Sequence, residues 1–308
     1  MLMRRKRPAR PFSWLHRFHR HPWFCGLVFF GGIAGAATAQ PETDFQTAVV
    51  LYHACRYTDA QRLFDRASVH RPDDVELDFY RGRLALWFDD ETKALACLER
   101  AAQGSPQDAR IQNALGDAFG LAAQKSMIFA KLGWGLKCKA AYERAAALDP
   151  KNPDYHWSLL GYFLLAPRIA GGGIDKAYKQ AAEIRQLDPM KGRVAFATLY
   201  LAEKNSGAAF AEFDEVLRQV PDDFLALYHI GRCAALSGDQ LDRGRAALTR
   251  CLSLPAPTGD GQPTQANVHY RLGNILEKSG DLAGARMEYD LAMAANPDFR
   301  PAKEALKK

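Results

Sequence analysis

The chain has 308 residues, of which 48% are hydrophobic and 25% charged, enough apolar content for a packed core and too much for a disordered tail. Its 41 Lys+Arg against 35 Asp+Glu give a formal charge of +6. Residues 1–39 hold seven of those bases and no acid, so the rest of the chain sits near −1, and the overall charge does not make a nucleic-acid footprint.

The N-terminal segment reads as a targeting signal. Arg4, Arg5, Lys6, Arg7, Arg10, Arg17 and Arg20 form a basic region, an apolar stretch follows from Trp23 to Ala36, and Ala37-Thr38-Ala39 places small residues before Gln40. This order predicts a secretory signal peptide cleaved after Ala39, with a periplasmic or secreted product. The alternative is an uncleaved inner-membrane signal anchor, although the apolar stretch is shorter than the roughly 20 residues of a spanning helix.

From residue 41 onward one frame repeats: a small residue, a bulky one four on, a small one three on, and a proline five on. It reads Ala60, Phe64, Ala67, Pro72, then Ala94, Leu98, Ala101, Pro106, then Cys138, Tyr142, Ala145, Pro150, and lastly Ala285, Tyr289, Ala292, Pro297. Pro72 to Pro106 and Pro221 to Pro255 are each 34 residues apart, the period of a two-helix unit. The small residues let helices approach, the bulky one shares their face, and the proline ends the helix. Acids or amides after the proline (Asp74, Asn152, Asp223) are placed to cap the next helix. Gly82, Gly116, Gly161, Gly231 and Gly273 sit mid-way along the first helix of their units. Each costs about 1 kcal/mol against alanine there, so their recurrence predicts close contact with the partner helix. Gly238 and Gly280 mark turns into second helices.

Three segments depart from the period. Around Gln124 to Trp134 the third unit carries about ten extra residues, judged against the usual spacing. Met127, Ile128, Phe129 and Trp134 there either extend the helix and pack on a neighbouring repeat or present an exposed contact; apolar groups are more often buried, which favours packing. Gly171-Gly172-Gly173 lacks the Gly-Lys-Ser/Thr of a phosphate loop and reads as a flexible insertion. Pro255 to Pro263 is a turn-rich surface loop, and Pro301 to Lys308 puts Ala302, Ala305 and Leu306 on one face as a cap over the last repeat.

No catalytic constellation or metal-ligand spacing emerges. The histidines are isolated, no C-x-x-C pair occurs, and Cys55, Cys97, Cys138, Cys233 and Cys251 are scattered as small packing groups. Cys233 and Cys251, on the two helices of one unit, are the only pair worth checking for a disulfide.

Leu-Gly in the first helix followed by Ala, aromatic, Ala and Pro in the second resembles the tetratricopeptide repeat family. Residues His269 to Pro297 match it best, with Leu272-Gly273, Gly280, Ala285, Tyr289, Ala292 and Pro297 all in frame. The resemblance implies an all-α, right-handed α-solenoid of about seven helix-turn-helix units, beginning near residues 41, 75, 108, 154, 190, 224 and 266, with the solenoid over 40–297 and a cap helix over 298–308. It implies a concave face lined by first helices at Phe79, Arg83, Asn113, Asp117, Ser158, Tyr162, Val194, Thr198, Tyr228, Arg232, Tyr270, Arg271 and Asn274. Phe45 and Val49 stand where a carboxylate clamp would need lysine and asparagine, so that clamp is not expected. Tyr162, Tyr228, Arg232, Tyr270, Arg271 and Asn274 are the expected partner-binding residues. The expected function is a non-catalytic exported scaffold for a protein or peptide, without cofactor, metal or nucleic acid, touching a membrane only through an uncleaved signal. The alternative is a structural subunit of a cell-envelope assembly such as a pilus, secretion or outer-membrane machinery.

Overall fold

The computed structural model describes residues 36–258 and 261–308. Most of the basic and apolar leader, Cys25 included, lies outside them. The described residues form fifteen α-helices and no strand. Seven antiparallel pairs follow one another: α1 (Ala36–His53) with α2 (Tyr57–Ser68), α3 (Val75–Trp87) with α4 (Glu91–Gly104), α5 (Ala109–Lys125) with α6 (Ile128–Leu148), and α7 (Pro153–Leu165) with α8 (Ile174–Leu187). Then come α9 (Pro189–Ala202) with α10 (Ser206–Gln219), α11 (Phe224–Ser237) with α12 (Leu241–Leu252), and α13 (Gln265–Ser279) with α14 (Leu282–Ala295). The short α15 (Arg300–Ala305) covers the last pair, burying Ala302 beside Phe299 and Tyr289. The expected cleavage point after Ala39 falls in the first turns of α1.

The local rules act as the sequence dictates. Asp74, Asn152 and Asp223 accept the backbone N–H of Leu77, Asp154 and Ala226, each capping its helix. Asp90, Asp108, Asp188, Asn205 and Asp281 cap further helices, and Thr264 with Asn267 makes a reciprocal capping box. Gly238 and Gly280 adopt φ of 87° and 88° at the ends of α11 and α13. The three helical members of each of the four frames are buried, from Ala60, Phe64 and Ala67 to Ala285, Tyr289 and Ala292, while the prolines that close the frames are exposed. A Cβ on Gly82 would stand 2.5 Å from Leu98 Cγ, and one on Gly116 would stand 2.5 Å from the Tyr142 ring. Gly231 faces Leu248 and Gly273 faces Tyr289 in the same way, whereas Gly161 meets nothing within 4 Å. The first-helix glycine is thus the hole that receives the bulky knob of its partner in four units, and Gly161 is the exception.

Two expectations are corrected and one open question is answered. The apolar insertion does not pack away: α5 and α6 simply run longer, to 17 and 21 residues, joined by Ser126-Met127. Trp134 stacks on Phe119 at 5.8 Å, but Met127, Ile128 and Phe129 are 84%, 76% and 95% exposed, because no neighbouring repeat is long enough to cover the overhang. The glycine triplet is ordered rather than flexible. A 3-10 turn over Arg168–Ala170 leads into it, Gly172 and Gly173 donate backbone hydrogen bonds to Pro167 and Phe163, and Gly172 lies so close to the Ala166 carbonyl that no side chain fits. Cys233 and Cys251 are free and buried, their thiols contacting the carbonyls of Ala209 and Phe224.

The superhelix also closes on itself. Asp298, in the turn between α14 and α15, accepts from the Thr58 backbone N–H at 3.1 Å and its hydroxyl at 2.9 Å. It thereby caps α2, whose own flanking residue Arg56 makes no cap bond. Arg300 donates to the Trp87 carbonyl at 2.8 Å. The trailing edge of the last unit therefore rests on the helix-turn edge of the first two.

Candidate functional site

Successive first helices touch one another, α3 with α5, α7 with α9, α9 with α11 and α11 with α13, and so form the continuous inner layer of the coil. Most buried polar side chains have a local purpose: Asp78 takes a forked pair from Arg100, Gln112 donates to the Pro106 carbonyl, and Asn152 and Asn267 cap helices. Asn113, Asp117 and Arg232 are different, because they lie at inner-face positions.

In the second and third units the inner face carries a connected polar group. Arg83 on α3 donates through Nε to the Tyr52 hydroxyl of α1 at 3.1 Å. Arg83 also interacts electrostatically with Asp117 on α5, whose carboxylate accepts the Tyr142 hydroxyl of α6 at 2.7 Å. Burial pushes the Asp117 carboxyl up to about 6, while Arg83 and the Tyr142 hydroxyl pull it down. Asn113 lies one turn before Asp117 on the same face, is 3% exposed, and its side-chain oxygen has no hydrogen-bond partner among the described residues. A buried carbonyl left without a donor costs about 1–3 kcal/mol, so this oxygen marks a place for one.

The six residues singled out from the sequence fall into three places. Tyr162 is buried on α7, and its hydroxyl donates to the Ala170 carbonyl at 2.6 Å, bracing the Arg168–Ala170 turn. Tyr228 and Arg232 lie one turn apart on α11, both buried. Tyr270, Arg271 and Asn274 come together on α13: the Arg271 guanidinium sits 5.2 Å from the Tyr270 ring and donates to Asn274 at 3.3 Å. Asn274 in turn donates to the Tyr289 hydroxyl, which donates to Glu277. Arg271 and Arg232 both act on the Cys233 thiol, whose pKa burial raises to about 11. The α13 group is thus half-buried and partly occupied with its own partners.

The Arg83–Asp117 pair is the stronger inner-face feature, and its one trace in the sequence is two opposite charges at the same frame position, 34 residues apart, which does not by itself show that they meet. Among the described residues no group of three or more His, Cys, Asp and Glu could hold a metal ion, and no helix is long and apolar enough to cross a membrane.

Family models described as tetratricopeptide repeats match residues 46–109 and 266–299. No curated protein matches the chain. Among solved structures it is similar to a thermophilic protein with these repeats from Thermus thermophilus, at 22% identity and a TM-score of 0.54, covering 64% of this chain and 98% of that one. It is also similar to a tetratricopeptide repeat protein from Parabacteroides merdae, at 14% identity and a TM-score of 0.53, covering 87% and 98%. A third likeness is to yeast Tom70, at 14% identity and a TM-score of 0.58, covering 92% of this chain and 58% of Tom70. Such identities speak for the fold alone. Tetratricopeptide repeats thus stand near both ends of the described residues, and the uninterrupted series of helix pairs between them continues the same solenoid.

Proposed function

We propose that this protein is an exported, non-catalytic scaffold that holds an extended protein segment on the inner face of its superhelix. Proteins of this repeat family are generally interaction scaffolds that bind protein or peptide partners. The observation that carries the reading is the Asn113 side-chain oxygen, buried and without a donor beside the Arg83–Asp117 pair. A turn of the Asn113 amide towards the inner face would bring this oxygen to a backbone N–H of a bound segment, with Arg83 and Asp117 carrying opposite charges beside it. The Tyr270–Arg271–Asn274 group extends the same face four units further on. Export rests on the basic and apolar leader before Gln40.

In-cell crosslinking tests the binding. Partners captured by the wild-type chain are expected to be lost with Asn113→Leu, which keeps the branched outline of the side chain and removes the acceptor. Unchanged capture would sink the assignment of this face. N-terminal sequencing of the recovered protein tests export: Gln40 as first residue supports it, and an intact leader points to the anchor.

A further inference from the structure

We propose that the overhanging start of α6, together with the adjoining Arg168–Ala170 turn, docks on an anionic lipid surface. The inference is independent of the inner-face reading. The α6 helix is 21 residues long where second helices elsewhere have 12 to 14, so at 1.5 Å per residue its first two turns stand roughly 10 Å clear of the coil. Ile128, Leu132 and Leu136 follow at four-residue spacing, with Phe129 beside them and Met127 at the tip, and all are exposed. The next unit's insertion rises on the same edge, since both connect a first helix to a second. Its Arg168–Ala170 turn packs on α6 and leaves Ile169 exposed.

The charge left unpaired around these side chains is positive. From Ala118 to Tyr142 there are four lysines and no acid, of which Lys125 pairs with Asp89 and Lys139 with Glu143, and from Leu159 to Ile174 there is Arg168 and no acid. Lys131 and Arg168 have no ion-pair partner among the described residues, and Lys137 lies over the Trp134 ring at 4.5 Å. The first turn of α6 also lacks an acid, so the positive end of its dipole points outward at the tip. A soluble acidic protein would complement the charge, but it would have to bury a narrow tip of separate knobs. A lipid headgroup layer accepts such knobs to a depth of roughly 5–10 Å while its phosphates meet the lysines, which is the geometry on view.

The test is flotation of the full chain with phosphatidylglycerol–phosphatidylcholine vesicles and with phosphatidylcholine vesicles alone. The wild type is expected to bind the anionic vesicles in a salt-sensitive way, and Ile128→Asp/Phe129→Asp to bind them about tenfold or more weakly. Lys131→Glu/Arg168→Glu should lose the preference for anionic vesicles, and Leu282→Asp/Met287→Asp, on exposed residues of α14, should bind as wild type. Equal binding by wild type and the tip variant overturns the proposal, since residues 1–39 or another surface would then suffice. So does a tip variant that changes only the mass of the particle in sedimentation, which would assign the tip to a second copy of the chain.

Discussion

Alanine at Gly116 and at Gly161 should move stability in opposite directions, although both glycines occupy the same frame position. A Cβ on Gly116 would stand 2.5 Å from two atoms of the Tyr142 ring. That ring is buried, and its hydroxyl is held by Asp117 at 2.7 Å, so it cannot turn aside without giving up the bond. Overpacking of this kind costs about 1–3 kcal/mol, against which alanine returns about 1 kcal/mol of helix propensity. The net expectation for Gly116→Ala is a loss of up to roughly 2 kcal/mol, towards the upper end because the Tyr142 ring is held at its hydroxyl. At Gly161 nothing lies within 4 Å, so alanine keeps the propensity gain of up to about 1 kcal/mol. Urea unfolding reads the difference. Because repeat arrays can open unit by unit, amide exchange in α5–α6 and in α7–α8 should report the loss and the gain locally. If Gly116→Ala is as stable as Gly161→Ala, the glycine is not a packing hole and the frame has been misread.

Two further outcomes follow from particular side chains. Burial raises the folded-state carboxyl of Asp117 to about 6 from the usual 3.8, so between about pH 4 and 6 the folded state holds a proton that the unfolded chain has released. This group's contribution to stability therefore falls as pH rises through that window, by about 3 kcal/mol at most, and Asp117→Asn should flatten the slope; an unaltered slope in unfolding free energies would refute the assignment. Asp298→Ala removes both acceptors for Thr58, a surface loss of about 1 kcal/mol that should lower the closed-to-open ratio of the coil about fivefold. Spin labels on α2 and α15 should then show a broadened distance distribution, and an unbroadened one would mean that the clasp is inert.

What the sequence made legible was whatever depends on neighbours within one unit. Ala60, Phe64 and Ala67 share a helix face whatever the rest of the chain does, and Asp74 finds Leu77 N–H three residues away. The close approach at Gly82, Gly116, Gly231 and Gly273 followed from the cost of placing glycine in a helix. What was hidden depends on stacking. The Arg83–Asp117 pair forms only when two units lie side by side, and the Thr58–Asp298 clasp sums the small rotations of all seven units over 240 residues. Burial of Tyr228 and Arg232 likewise cannot be judged from α11 alone. The insertion at Met127–Phe129 misled because apolar content predicts burial only where a neighbour exists to provide it.

A photoreactive side chain placed at Thr198, on the inner face of α9, and another at Leu291, exposed on the second helix α14, would test the scaffold reading most directly in living cells. The account predicts a discrete crosslinked protein from the inner position, competed away by Asn113→Leu, and none from the outer one. Capture from Leu291 alone, or equally from both positions, would contradict it.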